Sequence, residues 1–223
     1  MIAEPDAASP LTASWVYLGT KRLLDTMLGT AALVLSAPIM VVLALLIRLD
    51  STGPALFRQL RVGKGAQTFL MVKFRTMTAD NDDTIHQEYY RKLVEGDAEA
   101  RLNAEGLPVY LLDDPRVTRM GRFLRRTSLD ELPNLFNVLA GDMSLVGPRP
   151  AITYEVDLYD DRARRRLTVK PGMTGLAQIG GRGGLTFGQM VDFDLDYIAR
   201  RSLRLDLQIL LATPRAVFSR RGV

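Results

Sequence analysis

Thr26 to Ile47 reads TMLGTAALVLSAPIMVVLALLI, a run without a single charge, and how this stretch sits decides how the chain is organised. As a helix rising about 1.5 Å per residue it would be roughly 33 Å long, close to the ~30 Å hydrocarbon thickness of a bilayer. A cleaved signal peptide does not fit, because the run starts late, is too long and lacks a small-x-small exit. Pro38, two positions after Ser36, removes a backbone donor and bends a helix. Both flanks are basic, with Lys21 and Arg22 before the run and Arg48, Arg58, Arg61, Lys64, Lys73 and Arg75 after it. Positive charge on both sides gives little reason for the two ends to lie across a membrane from each other. From the residues alone, a spanning helix and a re-entrant helix–break–helix that enters and leaves by one face both stay open.

Working outward, residues 1–19 read as a loose tail with a lone Trp15, 20–49 as the membrane segment and 50–223 as one catalytic unit. Asp50 to Pro54 is a turn signal. Apolar and basic residues then alternate around Gly63-Lys64-Gly65, the pattern of a hairpin. Asp80 to Asp114 carries ten acidic and three basic residues and reads as a solvated helical excursion. Arg116, Arg119, Arg122 and Arg125 recur every third residue, a cationic face on a helix. Leu132, Leu135, Phe136 and Leu139 predict an amphipathic helix ended by Gly141. Pro133 is tolerated only in its first turn, which puts Asp130 and Glu131 at its start. The last thirty residues mix dense apolar positions with Arg, as interfacial helices do. The fold class expected is mixed α/β, rich in helix.

The chain has no cysteine and one histidine, His86. Thiolate nucleophiles, catalytic triads and multi-His or Cys metal sites are therefore excluded. Chemistry must rest on carboxylates, Arg, Lys and hydroxyls, with any metal bound through oxygen. Hydrophobic residues at 47% and charged residues at 24% exclude global disorder. The net charge of +4 becomes +11 once the acidic stretch is set aside, which suits phosphate ligands or an anionic membrane surface. Aromatics at 7%, without a basic–aromatic array, argue against nucleic acid.

Asp130-Glu131 has a structural explanation, because Ser128-Leu-Asp-Glu131 matches a capping box. It also has a chemical one, in which one carboxylate attacks phosphorus, its neighbour holds a divalent cation and Arg residues neutralise phosphates.

Three blocks carry a resemblance: GPALFRQLRVGKGAQTFLMVKFRTM after KRLLD and the apolar run, DDPRVTRMGRFLRRTSLDELPNLFNVLAGDMSLVGPRP, and KPGMTGLAQIGGRGGLTF with its downstream LDYI and SLRLDLQILLATP. Over about residues 20–220 the chain resembles the monotopic bacterial sugar transferases, polyprenyl-phosphate phosphoglycosyl transferases. The resemblance implies a re-entrant membrane segment broken at Ser36 and Pro38, and a catalytic domain on the cytoplasmic face of the bacterial inner membrane. It implies Asp130 as nucleophile on the β-phosphorus of a UDP-sugar, Glu131 as a Mg²⁺ ligand, and undecaprenyl phosphate as acceptor. Arg75 and Arg149, with Lys73 and Arg125, become candidates for phosphate contacts. Membrane lipid, a second copy in a homodimer and downstream glycosyltransferases of exopolysaccharide or glycoconjugate synthesis are the partners it suggests. Ala177, Gly183 and Gly184 depart from residues frequent in the family. A membrane-anchored scaffold and a metal-dependent diphosphatase are the competing readings.

Overall fold

The computed structural model describes residues 14–78, 84–95, 116–181 and 185–218. The expectations for residues 1–13, for most of the acidic stretch and for Gly183 and Gly184 fall outside them. The protein mixes helix and sheet, with helix dominant.

The first helix, α1 (Trp15–Asp50), begins inside the stretch expected to be tail, because Ser14 caps it by accepting from the Val16 N–H at 3.3 Å. It is long and apolar enough to cross a membrane. Helix continues through Pro38, and Ser36 Oγ donates to the Leu33 carbonyl at 3.3 Å. One stripe of α1 lies on the body of the protein: Asp25, Gly29, Leu43 and Ile47 are buried, with Ala32, Leu33, Met40 and Ala44 packed beside them. The other side leaves Leu28, Leu35, Ile39, Val42, Leu46 and Leu49 exposed. Contiguous apolar surface of this kind marks a membrane or protein contact.

Strands β1 (Leu56–Val62) and β2 (Thr68–Phe74) form the expected hairpin, antiparallel with Leu60 opposite Leu70. The Gly63 N–H closes the turn on the Gln67 carbonyl at 2.7 Å, and Gly65 takes the positive φ of +69° that favours glycine. Thr84–Glu95 is helical, as expected within this stretch, but this helix, α2, is not wholly solvated. Tyr90 and Leu93 are buried, and the Tyr90 ring meets Phe187 edge-on at 6.0 Å. Spaced i, i+3, the two share one helical face and dock it.

Next come α3 (Arg119–Thr127), α4 (Asn134–Ala140), β3 (Ser144–Val146) and β4 (Ala151–Ile152). Then follow α5 (Thr153–Asp157), α6 (Asp161–Arg164), β5 (Gly172–Thr174), α7 (Leu176–Gly181), α8 (Phe187–Arg200) and α9 (Leu203–Phe218). β4 extends the hairpin to the order β2-β1-β4, and β3 pairs with β5 in parallel. The main core gathers Leu135, Val138, Met143, Val146, Tyr197, Ile198 and Ile209 between α4, β3, α8 and α9. A separate cluster of Leu43, Ile47, Phe74 and Leu124 joins the end of α1 to β2 and α3.

Candidate active site

Asp130 and Glu131 sit in a single 3₁₀ turn, Leu129–Glu131, between α3 and α4. A capping residue needs extended backbone angles. Ser128 instead leaves α3 in the left-handed conformation, φ +55°, and makes no side-chain capping bond. The capping box therefore does not form, and it no longer accounts for the acid at Glu131.

Two devices bring this turn to the end of β2. Asn137 lies along β2 and replaces a missing strand: its Nδ2 donates to the Leu70 carbonyl at 2.7 Å and its Oδ1 accepts from the Val72 N–H at 3.1 Å. On the other side, a Cβ at Gly121 would stand 2.0 Å from the Thr76 carbonyl oxygen, so glycine alone lets α3 close on that strand end. Arg125 Nε then reaches Thr76 Oγ1 at 3.0 Å, which orients its guanidinium. Of the arginines read as one cationic face, Arg116 precedes the helix, and Arg125 turns inward.

The result is a basic cluster around one carboxylate. Burial raises the pKa of Asp130 above the ordinary aspartate value, and the positive charges of Lys73, Arg125 and Arg149 oppose that rise. Burial, then the cations Arg61, Arg125 and Arg149, pushes the Lys73 ammonium down to about 8, with Asp130 acting in the opposite sense. The Lys73 nitrogen also stands 5.4 Å from the centre of the Phe57 ring. Arg61 is buried, and burial together with Arg149 lowers it to about 10, while Glu155 and Glu131 act to hold its charge. Its guanidinium donates to the Pro150 carbonyl at 3.0 Å and to Gln59 Oε1 at 2.7 Å. The first of these bonds ties Arg61 to the GPRP loop that carries Arg149.

The structure thus brings together Asp130, Glu131, Lys73, Arg125 and Arg149. It places Arg75 differently. The Arg75 guanidinium donates to the Thr52 carbonyl, to the Ser51 carbonyl at 2.8 Å and to Ser51 Oγ at 3.0 Å, fastening the chain just after α1. Ser36 and Pro38 lie within α1. Sequence reasoning counted Arg61 only as a flanking charge. Its signal was its place on the same face of the strand as Phe57 and Gln59, four and two residues back. Asn137 gave no signal beyond being polar on an apolar helix.

A hard divalent cation such as Mg²⁺ binds through one or two carboxylates together with substrate phosphates. Asp130 and Glu131 meet that requirement, and Asn134 Oδ1, buried and without a protein partner, lies one helical turn beyond Asp130. Among the described residues no group of three His, Cys, Asp or Glu forms a closed metal cage, so substrate oxygens would complete the coordination.

The family model of the bacterial sugar transferases matches residues 16–220. The exopolysaccharide production protein ExoY of Sinorhizobium fredii is 39% identical, the match covering 91% of this chain and 87% of that one. The undecaprenyl-phosphate galactose phosphotransferase of Salmonella typhimurium is 41% identical over 91% of this chain, which spans 41% of that protein's length. The UDP-glucose:undecaprenyl-phosphate glucose-1-phosphate transferase of Caulobacter vibrioides is 42% identical over 86% of this chain and 67% of its own. An uncharacterized sugar transferase of Haemophilus influenzae, 39% identical, is likewise matched over 41% of its length. With a match from one end of the described fold to the other, the chain belongs to the bacterial sugar transferase family.

Proposed function

We propose that this protein transfers a sugar 1-phosphate from a UDP-sugar to undecaprenyl phosphate, releasing UMP, as a first membrane step in building an exopolysaccharide or glycoconjugate. The carrying observation is the convergence of Lys73, Arg125 and Arg149 on Asp130 in a chain without cysteine. The names of the Salmonella and Caulobacter relatives, both undecaprenyl-phosphate sugar phosphotransferases, point the same way.

In the first step a carboxylate oxygen of Asp130 attacks the β-phosphorus of the donor. The bond from that phosphorus to the bridging oxygen breaks, and UMP departs with the electron pair. A phosphosugar stays on Asp130 as an acyl phosphate. In the second step a phosphate oxygen of the lipid attacks the same phosphorus, the bond to Asp130 breaks, and the carboxylate is regenerated. An ionised carboxylate needs no general base, which suits a site built without histidine. Lys73, Arg125 and Arg149 stabilise the charge that grows on the phosphate oxygens. Glu131, beside Asp130, would hold Mg²⁺, which screens the diphosphate and its leaving group.

The proposal places residues 50–223 on the cytoplasmic face of the inner membrane and α1 as a re-entrant segment in one leaflet. Support comes from the way both ends of α1 meet one body. Near its start, Arg22 donates to the Val138 and Leu139 carbonyls at 2.6 and 2.8 Å. At its far end, Asp50 Oδ2 accepts from the Met120 N–H at 3.0 Å.

Purified protein, undecaprenyl phosphate and a panel of UDP-sugars test the proposal. The expected result is lipid-linked sugar diphosphate in amounts equal to the UMP released. Free sugar phosphate without lipid product would replace this reading with a diphosphatase, and no turnover with an intact Asp130 would favour a scaffold.

A further inference from the structure

An open groove of about 860 Å³ lies between the C-terminal half of α1 and the start of β1. Binding sites for small ligands commonly span about 300–1,000 Å³. Val41, Ala44 and Leu45 line it from α1 and Leu56 and Phe57 from β1, with Arg48 of α1 and Arg58 of β1 also in its lining. Three features say what would fit it. The walls are apolar and continuous with the exposed apolar side of α1, so the occupant is a hydrocarbon chain arriving from the membrane. Arg48 and Arg58 are exposed, and their planar guanidinium forks match phosphate oxygens. Phe57, one of the residues lining the groove, has the Lys73 ammonium 5.4 Å from its ring centre, and Lys73 is a charge neighbour of Asp130. Phe57 is thus shared between the groove and the surroundings of Lys73.

Resting on the transferase reading above, we propose that this groove is the acceptor subsite. The first isoprene units of a polyprenyl phosphate lie between α1 and β1, Arg48 and Arg58 draw in its phosphate, and Phe57 and Lys73 mark its way to Asp130. Bulk phospholipid offers the same phosphate and hydrocarbon, but it has no need to reach Asp130. The continuity from Phe57 to Lys73 therefore favours the reacting lipid.

The test uses the full chain in three forms: wild type, the double variant Arg48→Ala/Arg58→Ala, and Leu45→Trp, which fills the groove from an exposed position. Three quantities are measured: UMP released by UDP-sugar before acceptor is added, the undecaprenyl phosphate concentration giving half-maximal turnover, and co-sedimentation with vesicles of anionic phospholipid. The proposal expects the pre-acceptor UMP to match wild type, which also certifies folding. It expects the half-maximal acceptor concentration to rise about tenfold or more in both variants, with vesicle binding retained. An unchanged acceptor dependence in the folded double variant would overturn the groove alone. So would a change that tracks loss of vesicle binding, because bulk lipid would then be the occupant. A wild type that releases no UMP with any UDP-sugar would overturn the transferase reading and the groove with it.

Discussion

Two charged regions flank α4, and they are built differently. Where α1 begins, Lys21 stands between Asp206 at 3.0 Å and Asp25 at 4.0 Å. Asp206 also accepts from the Tyr17 and Tyr197 hydroxyls at 3.0 and 2.7 Å. Asp25 accepts from Ser144 Oγ at 2.8 Å and from the Leu145 N–H at 3.2 Å. Lys21 and four neutral donors thus satisfy both carboxylates, and the network is closed. Around Asp130 the cations Lys73, Arg61, Arg125 and Arg149 exceed the acids Asp130, Glu131 and Glu155. A network of satisfied carboxylates fastens one element to another, whereas an excess of positive charge held at fixed positions suits an anionic ligand. Under the proposed function, the diphosphate of the donor would bring that negative charge.

Removing one charge from each region should separate them most sharply. Arg149→Ala is expected to lower turnover by about 10²–10³-fold with little change in melting temperature, the usual cost of losing one transition-state donor. Asp206→Ala should do the reverse. It should cost about 2 kcal/mol of stability through lost charge-assisted hydrogen bonds, read as a lower Tm, while UMP release per folded molecule persists. Arg75→Ala belongs with Asp206→Ala, since its contacts are the Ser51 and Thr52 acceptors; an Arg75 variant with wild-type stability and no activity would move it into the site.

A smaller effect is the pH profile, which should report the crowded region alone. Lys73 is charged below about 8 and loses its proton above that, so activity should fall on the alkaline side through that value. Burial raises Asp130, so on the acid side activity should rise as pH passes through a carboxylate value above the ordinary one. Lys73→Arg should shift the alkaline limb upward, and a limb that stays in place would assign it to another group.

The smallest effect on rate is expected from single cysteines at Ser14 and Thr52, near the two ends of α1 in a chain with no native cysteine. An impermeant thiol reagent should label both from the same side of sealed vesicles. Opposite-side labelling would break the re-entrant account, and Pro38→Ala should favour such a spanning form.

Much of this was legible in the sequence where a local rule governs. Gly63-Lys64-Gly65 marked the hairpin, Gly141 the end of α4, and Pro133 the position of the dyad before it. Arg75 and Arg149 could not be told apart, because both are arginines in basic motifs. Only the fold puts one beside the Ser51 and Thr52 carbonyls and the other beside Asp130. Asn137 and Gly121 were equally silent. Their roles depend on the backbone of β2 and the residues just past it, about 45 to 67 positions away in sequence.

The most direct measurement asks whether Asp130 carries the phosphosugar. Enzyme incubated with UDP-sugar alone, before any lipid acceptor, should release about one UMP per active site and gain the mass of one sugar phosphate on Asp130. Asp130→Asn should show neither. Active enzyme that releases no UMP until acceptor is added, and gains no mass, would contradict the account and assign the attack on the donor to the lipid phosphate itself.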